Sequence, residues 1–521
     1  MINGKGNIFD IKLFSKLMVY VKPYKKTYYF VMTSAIILAG FSALTPYLLK
    51  ITVDDYIRLK DYDGMIFLIG MMLFALFSEV IFQFLFVYFA NWLGQNVIRD
   101  LRVVLFKKIV GFKMAYFDKS AVGRLVTRAV NDIETIASIF SQGLFMIVAD
   151  FLKMGVVILI MLFIDWELSL IVFSVLPIIL YATRIFQKSM KTAFEEVRFQ
   201  VANLNSFVQE RITGMQIVQL FHREKIEYDY FVSINEKHKK AWLKTVWYNS
   251  IFFPIAEISS SITLGLLVWY GGLNLVTGGS ISIGTIFLFI QMSQMLFRPL
   301  RHIADKFNTL QMGMVAADRI FKIIKTESQV LDNGQWSPKK IEGKIRIDGL
   351  RFSYIEGEEV IKGIDLDIQK GEKIAIVGST GAGKSTLINL LTRFYEFEKG
   401  EIYFDNRSIK DFTLQSLREH VGIVLQDVFL FADTIFNNIT LYNPDVTRSM
   451  VYLAAKEIGV HDFIESLPGG YDYNVKERGV MLSSGQRQLI AFLRIYIANP
   501  SILILDEATS SIDSHSEELI H

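Results

Sequence analysis

Long apolar runs with few or no charged residues constrain this chain more than any other feature of its sequence. Crossing the hydrocarbon core of a bilayer takes about 20 consecutive apolar residues in a helix. Runs of that kind occur at 27–49, 64–98, 135–164, 168–183 and 258–297. The fourth is short but extendable at either end, and the fifth is divided in two by the glycine-rich "YGGLNLVTGGS". The sequence therefore predicts six membrane-spanning helices within residues 1–324.

Four charged side chains interrupt or border these runs: Glu79, Asp150, Lys153 and Glu257. A charge at mid-membrane costs about 2.5–3.5 kcal/mol on insertion scales, so each is predicted to face a cavity or a partner helix. Asp150 and Lys153 lie one helical turn apart, and we expect them to offset each other. Left unpaired, Glu79 and Glu257 would favour amphipathic cations as substrates. The alternatives are hydrogen bonds between helices, or a water-facing position for Glu257.

Basic residues in the connections predict the orientation of the spans. The segments after the second and fourth spans are rich in them: Arg99, Arg102, Lys107, Lys108, Lys113, Arg124 and Arg128, then Arg184, Lys188, Lys191, Arg198, Lys239, Lys240 and Lys244. The "DWE" turn and the glycine turn have none. Both basic segments and both chain ends are therefore predicted to lie on the cytoplasmic side of the cell membrane. The segments are helix-patterned, so the spans should continue beyond the bilayer, and the amphipathic "FDIKLFSKLMVYV" predicts a helix on the membrane surface.

Composition excludes several classes of function. The chain has no cysteine, which excludes disulfides, thiolate catalysis and cysteine metal sites. Its seven histidines show no ligand spacing. The formal net charge of +3 gives no sign of the basic field of a nucleic-acid binder.

Past the spans the pattern changes. Residues 325–343, with "TESQVLDNGQWSPKK", are polar and carry turn residues, which predicts a linker. From 344 to 521, β-type runs such as "KIRIDGLRFSY", "KIAIVG" and "SILILD" alternate with helical stretches, which is typical of an α/β domain.

The stretch "GSTGAGKST" matches the phosphate-binding pattern of P-loop proteins, between the predicted strand "KIAIV" and the predicted helix "TLINLLTRFY". Backbone N–H groups of its glycines would curl around phosphates, Lys384 would reach the β and γ oxygens, and the Ser385 hydroxyl would bind Mg²⁺. The alternative is a glycine-rich turn with no ligand. The predicted nucleotide-binding residues of this loop are Gly378, Ser379, Thr380, Gly381, Ala382, Gly383, Lys384, Ser385 and Thr386.

A second element follows in "SILILDEATSSIDS". The apolar run predicts a buried parallel strand, and Asp506 at its carboxyl end is placed to hold Mg²⁺. Glu507 is placed to orient or deprotonate the attacking water. The alternative for this pair is a helix N-cap.

The order of P-loop, "VLQD" with Gln426, "LSSGQ" and "ILILDEATSSID" resembles the ATP-binding cassette (ABC) family, and with six preceding spans the chain resembles an exporter-type half-transporter. The resemblance covers essentially the whole chain and implies ATP and Mg²⁺. It implies a membrane α-helical domain followed by an α/β P-loop NTPase domain. It also implies that Leu482–Gln486 close over ATP held by a partner domain, with Ser483, Ser484, Gly485 and Gln486 at that nucleotide.

Further roles come from the same resemblance. Tyr354 would stack on adenine, the alternative being a strand aromatic packed in the sheet. Gln426 would bind Mg²⁺ and link the attacking water to the membrane domain, and Asp513 would belong to a loop that acts across the dimer. "KERG", at 476–479, resembles the segment that contacts the membrane-domain extensions. Residues 121–130 and 213–221 are the predicted transmitting contacts.

The sequence departs from the family pattern in two places. Ser484 stands where the family has glycine; because a Cβ disfavours positive φ, this would weaken phosphate closure. It favours a heterodimer with one strong and one weak ATP site over a homodimer, unless the small side chain is simply tolerated. The family also continues past Asp513 to a histidine at the γ-phosphate, and neither His515 nor His521 stands there. We expect a truncated sequence rather than impaired hydrolysis.

These observations predict ATP-driven export or flipping of amphipathic substrates, drugs or lipids, by alternating access. An ATP-gated channel or regulatory membrane subunit is the alternative, and peptide export is less favoured. Six spans argue against a soluble cassette ATPase. The predicted partners are a second half-transporter chain, membrane lipid and a small amphipathic substrate, with no nucleic acid.

Overall fold

The computed structural model describes residues 11–328, 330, 332–379 and 381–506, without the side chains of 142, 256, 301–305, 307 and 308. Two compact units divide the chain. The first comprises Met1–Val110 and Val122–Thr326, and the second comprises Gly111–Ala121 and Glu327–His521.

The first unit is helical. Its α-helices are α1 (Ile11–Val19), α2 (Lys25–Ile51), α3 (Tyr62–Val110), α5 (Val122–Thr127), α6 (Ile133–Ser138), α7 (Phe145–Ile164), α8 (Trp166–Thr213), α9 (Met215–Leu220), α10 (Glu224–Val276) and α11 (Ile283–Lys325). A 3₁₀ turn (Lys22–Tyr24) precedes α2, and π-helical turns occupy Thr52–Ile57, Arg128–Asp132 and Ile139–Leu144. The predicted surface helix near the N-terminus is α1, which buries Leu13 and Leu17.

Among the described residues, six helical stretches are long and apolar enough to cross a membrane, which confirms the predicted spans. They are Lys22–Ile57, Tyr62–Val110, Val122–Ile164, Trp166–Thr213, Glu224–Val276 and Ile283–Leu300. α3, α8 and α10 contain 49, 48 and 53 residues, more than twice the roughly 20 that a bilayer requires.

Short polar turns join the spans at their uncharged connections. Asp165 caps α8 by accepting a hydrogen bond from Leu168 N at 2.9 Å. At the glycine turn, Ser282 caps α11 by accepting from Thr285 N at 3.1 Å, and Asp54 accepts from Gly284 N at 2.8 Å. Because these oxygens satisfy the first N–H groups of each helix, the chain can reverse within a few residues.

The charged residues of the spans pair between helices. Lys153 Nζ on α7 lies 4.0 Å from Glu79 Oε1 on α3, and Asp150, also on α7, pairs with Lys306 on α11. Asp150 and Lys153 also interact electrostatically with each other, as expected, although the ion pair of each is with an opposite charge on a neighbouring helix. Glu79 is not unpaired either, and Glu257 also has an interaction partner.

The second unit is an α/β fold, as predicted. Its helices are α4 (Met114–Asp118), α12 (Lys384–Leu391), α13 (Leu414–His420), α14 (Ile435–Thr440), α15 (Arg448–Ile458), α16 (His461–Glu465) and α17 (Ser484–Ala498), with 3₁₀ turns at Gly470–Asp472 and Glu477–Gly479. Its strands are β1 (Ile345–Ser353), β2 (Glu359–Ile368), β3 (Lys399–Phe404), β4 (Arg407–Ser408), β5 (Val421–Val424) and β6 (Ile502–Leu505).

Two sheets organise this unit. β2, β1, β3 and β4 form an antiparallel sheet in that order, whereas β5 and β6 pair in parallel with Val424 opposite Leu505. Apolar side chains from β1, β3 and α12, including Leu350, Phe404 and Leu390, form one core. A second core lies among α14, α15 and α17.

The run "KIAIV" does not form the expected strand. Residues 373–379 have no regular secondary structure, and Ile374, Ile376 and Val377 are exposed. An apolar run becomes a strand only when a neighbour pairs with its backbone groups, and pairing depends on tertiary structure that the run itself does not encode. The following helix is also shorter than expected, because α12 ends at Leu391 and Arg393 adopts a positive φ of 50°.

The segment predicted as a linker makes ordered contacts within the second unit. α11 continues to Lys325, after which Gln335 N and Trp336 N both donate to Asp411 O at 2.9 Å. The Trp336 ring packs edge-on against Phe412 with centroids 4.4 Å apart. These contacts fix the approach of the chain to β1.

Candidate nucleotide-binding site

The P-loop turns through two glycines with left-handed backbone. Gly381 has φ of 85° and Gly383 has φ of 100°, which L-residues with a Cβ rarely adopt. A Cβ at Gly383 would also lie 2.8 Å from Ile361 Cδ1. Gly383 is the N-cap of α12, so the loop lies at the positive end of that helix, where anions bind favourably.

Lys384 folds across this loop. Its Nζ donates to Gly378 O at 2.8 Å and to Ser379 O at 3.5 Å. Ala382 N donates to Ser379 O at 3.1 Å and closes the turn beneath it. The ammonium group therefore lies against backbone carbonyls of the loop, and its contact with the β and γ oxygens stays a prediction.

Ser385 and Asp506 meet although 121 residues separate them in the chain. Ser385 Oγ donates to Asp506 Oδ2 at 3.4 Å, and Asp506 N donates to Val424 O at 2.9 Å. Because β5 and β6 are parallel, their carboxyl ends share one edge of the sheet, which places Gln426 just beyond the neighbouring strand.

This oxygen-rich edge suits Mg²⁺, which prefers hydroxyl, carboxylate and amide oxygens and keeps several ligands from water and phosphates. Ser385, Gln426 and Asp506 supply one oxygen donor of each kind. Among the described residues no group of three or more His, Cys, Asp or Glu side chains is placed to hold a metal ion. A cation here would therefore depend on phosphate oxygens as well as on the protein.

Tyr354 stands beside the P-loop helix. Its hydroxyl donates to Thr386 Oγ1 at 3.2 Å, and its ring packs edge-on against Tyr395 and Phe352 with centroids 5.0 and 4.9 Å away. The side chain remains 40% exposed, so packing among aromatics does not cover it. Sequence reasoning missed Tyr395, although an aromatic residue just after the P-loop helix is a usable signal. Adenine stacking by Tyr354 stays a prediction.

The turn "LSSGQ" opens α17 with a reciprocal cap. Ser483 Oγ accepts from Gln486 N at 3.1 Å, and Gln486 Oε1 accepts from Ser483 N at 2.9 Å. Ser484 is the first residue of the helix, Gly485 is buried behind it, and Ser484 is absent from the residues with positive φ. The expected conflict between Ser484 and a positive φ is therefore wrong, because a helical position requires negative φ.

Comparison with protein-family models identifies the family of this chain. The model of the ABC transporter transmembrane region matches residues 28–300, and the model described as ABC transporter matches residues 361–510. The chain belongs to the ABC transporter family. It is a multi-pass membrane half-transporter of the exporter type whose second unit is an ABC ATPase domain.

Relatives match over nearly the full chain. A Staphylococcus aureus (strain NCTC 8325) protein named for multidrug export as an ATP-binding/permease protein is 35% identical, over 98% of this chain and 89% of its own length. A Bacillus subtilis (strain 168) protein with the same kind of name is 33% identical, over 97% and 88%. The ATP-dependent lipid A-core flippase of Syntrophus aciditrophicus (strain SB) is 31% identical, over 97% and 84%. The predicted family and fold class are confirmed, and the ATPase domain supports hydrolysis coupled to transport.

Several predicted residues of this ABC transporter lie outside the described residues. They are Thr380, Glu507 and Asp513. Their proposed roles rest on the motifs and the family resemblance alone. His515 and His521, neither of which was expected at the position of the family's γ-phosphate histidine, also lie outside the described residues.

The structure does describe three other segments for which the sequence predicted a role in the ABC transporter. In "KERG", Lys476 and Arg478 have positive φ of 59° and 55°, a strained conformation that is often retained at functional sites. Residues 122–132 form α5 and a π-helical turn, and the tip at 213–221 contains α9. Ile217, Leu220 and Phe221 at that tip are exposed, so α9 offers an apolar surface.

Proposed function

We propose that this ABC transporter exports or flips amphipathic molecules, drugs or lipids, across the cytoplasmic membrane by alternating access driven by ATP. The contact between Ser385 and Asp506 carries the proposal, because it assembles the P-loop and the magnesium carboxylate on a chain with six spans. Relatives named for multidrug export and for lipid A-core flipping support this class of substrate.

Each residue of the site has a distinct role in binding or hydrolysing ATP. When ATP binds, Lys384 gives up its hydrogen bonds to the carbonyls of Gly378 and Ser379 and binds the β and γ oxygens instead. Tyr354 stacks on adenine. Ser385, Gln426 and Asp506 would hold Mg²⁺, which would neutralise charge on the phosphates when bound. Glu507 orients or deprotonates the attacking water.

The ATPase domain must meet cytoplasmic ATP, which supports a cytoplasmic position for the second unit and for the basic segments that follow the second and fourth spans. Both chain ends lie on that side in this proposal. The exposed tip at α9 and the segment 121–130 transmit closure of the ATPase domains to the spans.

The composite site requires a second half-transporter chain. The capped N-terminus of α17, with Ser483 and Ser484, closes over the γ-phosphate held by the partner. With no positive φ at Ser484, the argument for a weak site in a heterodimer loses its physical basis. A dimer of two identical chains is the simpler proposal, and turnover by the chain alone tests it against a heterodimer.

The experiment is ATP turnover of the full-length protein in liposomes. Ser385→Ala and Asp506→Asn should each lower turnover by roughly 100-fold or more, since each removes a group that stabilises charge on the transferring phosphoryl. Chelating Mg²⁺ with EDTA should abolish turnover of the wild-type protein. Asp445→Asn, an exposed turn residue of the same unit, serves as the matched control and should stay within about twofold, as surface substitutions do. Wild-type turnover in Asp506→Asn would overturn the proposed site.

A further inference from the structure

A cavity of about 430 Å³ lies between α8 and α10, at the end of the spans next to the "DWE" turn. On α8 its lining residues are 167, 170, 171 and 174, which recur with the spacing of one helix face, and on α10 they are 266, 269 and 270. Trp166 completes the lining. The cavity is therefore built by two facing helix surfaces rather than by a loop, and it lies far along the chain from the P-loop.

The cavity contains a carboxylate without a basic neighbour. Glu167 Oε2 accepts a hydrogen bond from the Tyr270 hydroxyl at 2.6 Å. Of the described residues that line the cavity, none is lysine, arginine or histidine. Asp165, the N-cap of α8, adds a second negative charge beside it. The cavity therefore attracts cations and repels anions.

Aromatic and apolar side chains supply the rest of the lining. Trp166 and Trp269 are 62% and 65% exposed, and indole faces attract organic cations. Leu170, Ile171 and Leu266 extend the surface along the helices. Tryptophan and tyrosine commonly anchor helix ends at a membrane surface, but anchoring does not call for a half-buried carboxylate hydrogen-bonded to the tyrosine.

We propose that this cavity binds the ammonium headgroup of a membrane-dissolved amphiphile. Glu167 provides the countercharge, the two indoles contact the cation, and the aliphatic side chains contact the tail. A hydrated metal ion gains nothing from the indoles and aliphatic residues, and an anion is excluded by Glu167. The site is separate from the nucleotide site, so a binding measurement without ATP tests it independently of the proposed transport.

The test measures binding of labelled decyltrimethylammonium to the full-length protein in uncharged dodecyl maltoside micelles, by scintillation proximity against protein-free micelles. Glu167→Gln should weaken binding about tenfold, because it removes the countercharge. Trp269→Leu should weaken it about threefold or more, and Trp269→Phe, which keeps an aromatic face, should weaken it less. Glu195→Gln, on the exposed part of α8, and Trp247→Leu, on the exposed part of α10, are matched controls that should leave binding unchanged.

Two competitors complete the test. Decyl sulfate has the same chain length with the opposite charge and should not compete, and soluble tetramethylammonium should compete much more weakly than unlabelled decyltrimethylammonium. Unchanged binding in both Glu167→Gln and Trp269→Leu, or equal competition by decyl sulfate, overturns the site. Equal competition by tetramethylammonium overturns its assignment to an amphiphile.

Discussion

Ser483 and Ser484 are adjacent residues with different structural roles. Ser483 caps α17 through its hydroxyl, so Ser483→Ala should destabilise the ATPase domain by about 1 kcal/mol. Ser484 already has helical backbone, so Ser484→Gly relieves no strain and should change ATP turnover by less than about twofold, its main cost being the poor helix propensity of glycine. Thermal unfolding and turnover of the two variants check both statements. A several-fold gain in turnover for Ser484→Gly would contradict the helical assignment.

The buried phenol of Tyr471 should make the stability of the second unit depend on pH in the alkaline range. Burial raises the pKa of its phenol from 10.0 to about 12, and its hydroxyl lies 2.9 Å from His461 Nδ1. The unfolded phenol loses its proton near pH 10 and the folded one near pH 12, so the folded state binds more protons between these values and stability falls as pH rises. The difference in unfolding temperature between wild type and Tyr471→Phe should shrink from pH 10 to 12. Tyr228→Phe, at an exposed tyrosine, should show no such trend.

At the scale of elements, the pair formed by Glu79 and Lys153 joins α3 to α7. Because both side chains are partly shielded, Glu79→Gln or Lys153→Met alone should destabilise the protein by about 1–3 kcal/mol, by leaving one charge without its partner. The double variant should recover part of that loss, which a double-mutant cycle of thermal unfolding in nanodiscs measures. The exposed pair of Lys244 and Glu196 is the matched control, with coupling below about 1 kcal/mol. Additive effects of the two substitutions would show that Glu79 and Lys153 do not interact.

Elements set by local rules were predictable from the sequence. The six spans follow from the length of apolar runs, and β1, β6 and the P-loop follow from local pattern. The capping box was predictable too, because Ser483 and Gln486 have its spacing. That spacing implies helical backbone at Ser484, whereas the family pattern of glycine at this position suggested a positive φ. The missing strand at 373–377 and the pairing of Asp150 with Lys306 depend on neighbours distant in sequence, which no local pattern contains.

For the whole molecule, the proposal requires that ATP binding shift the spans between two states. Moving such an equilibrium from 1:99 to 99:1 needs about 5.5 kcal/mol of differential binding. In the proposed dimer, two nucleotides enclosed between two ATPase domains would supply that energy, because each would contact one P-loop and one capped helix. A channel gated by ATP would use the same binding energy without moving substrate against a gradient, so accumulation separates the two functions.

The central claim is tested most directly by ATP-dependent accumulation of a cationic dye in inside-out vesicles that contain this chain. Wild-type protein with Mg²⁺ and ATP should concentrate the dye against its gradient, and Lys384→Ala should reduce accumulation to the level of protein-free vesicles, because the lysine no longer binds the β and γ oxygens. Lys373→Ala, an exposed lysine just before the P-loop, is the matched control and should transport normally. Equal accumulation by wild type and Lys384→Ala, or dye movement that only equilibrates, would contradict ATP-driven export.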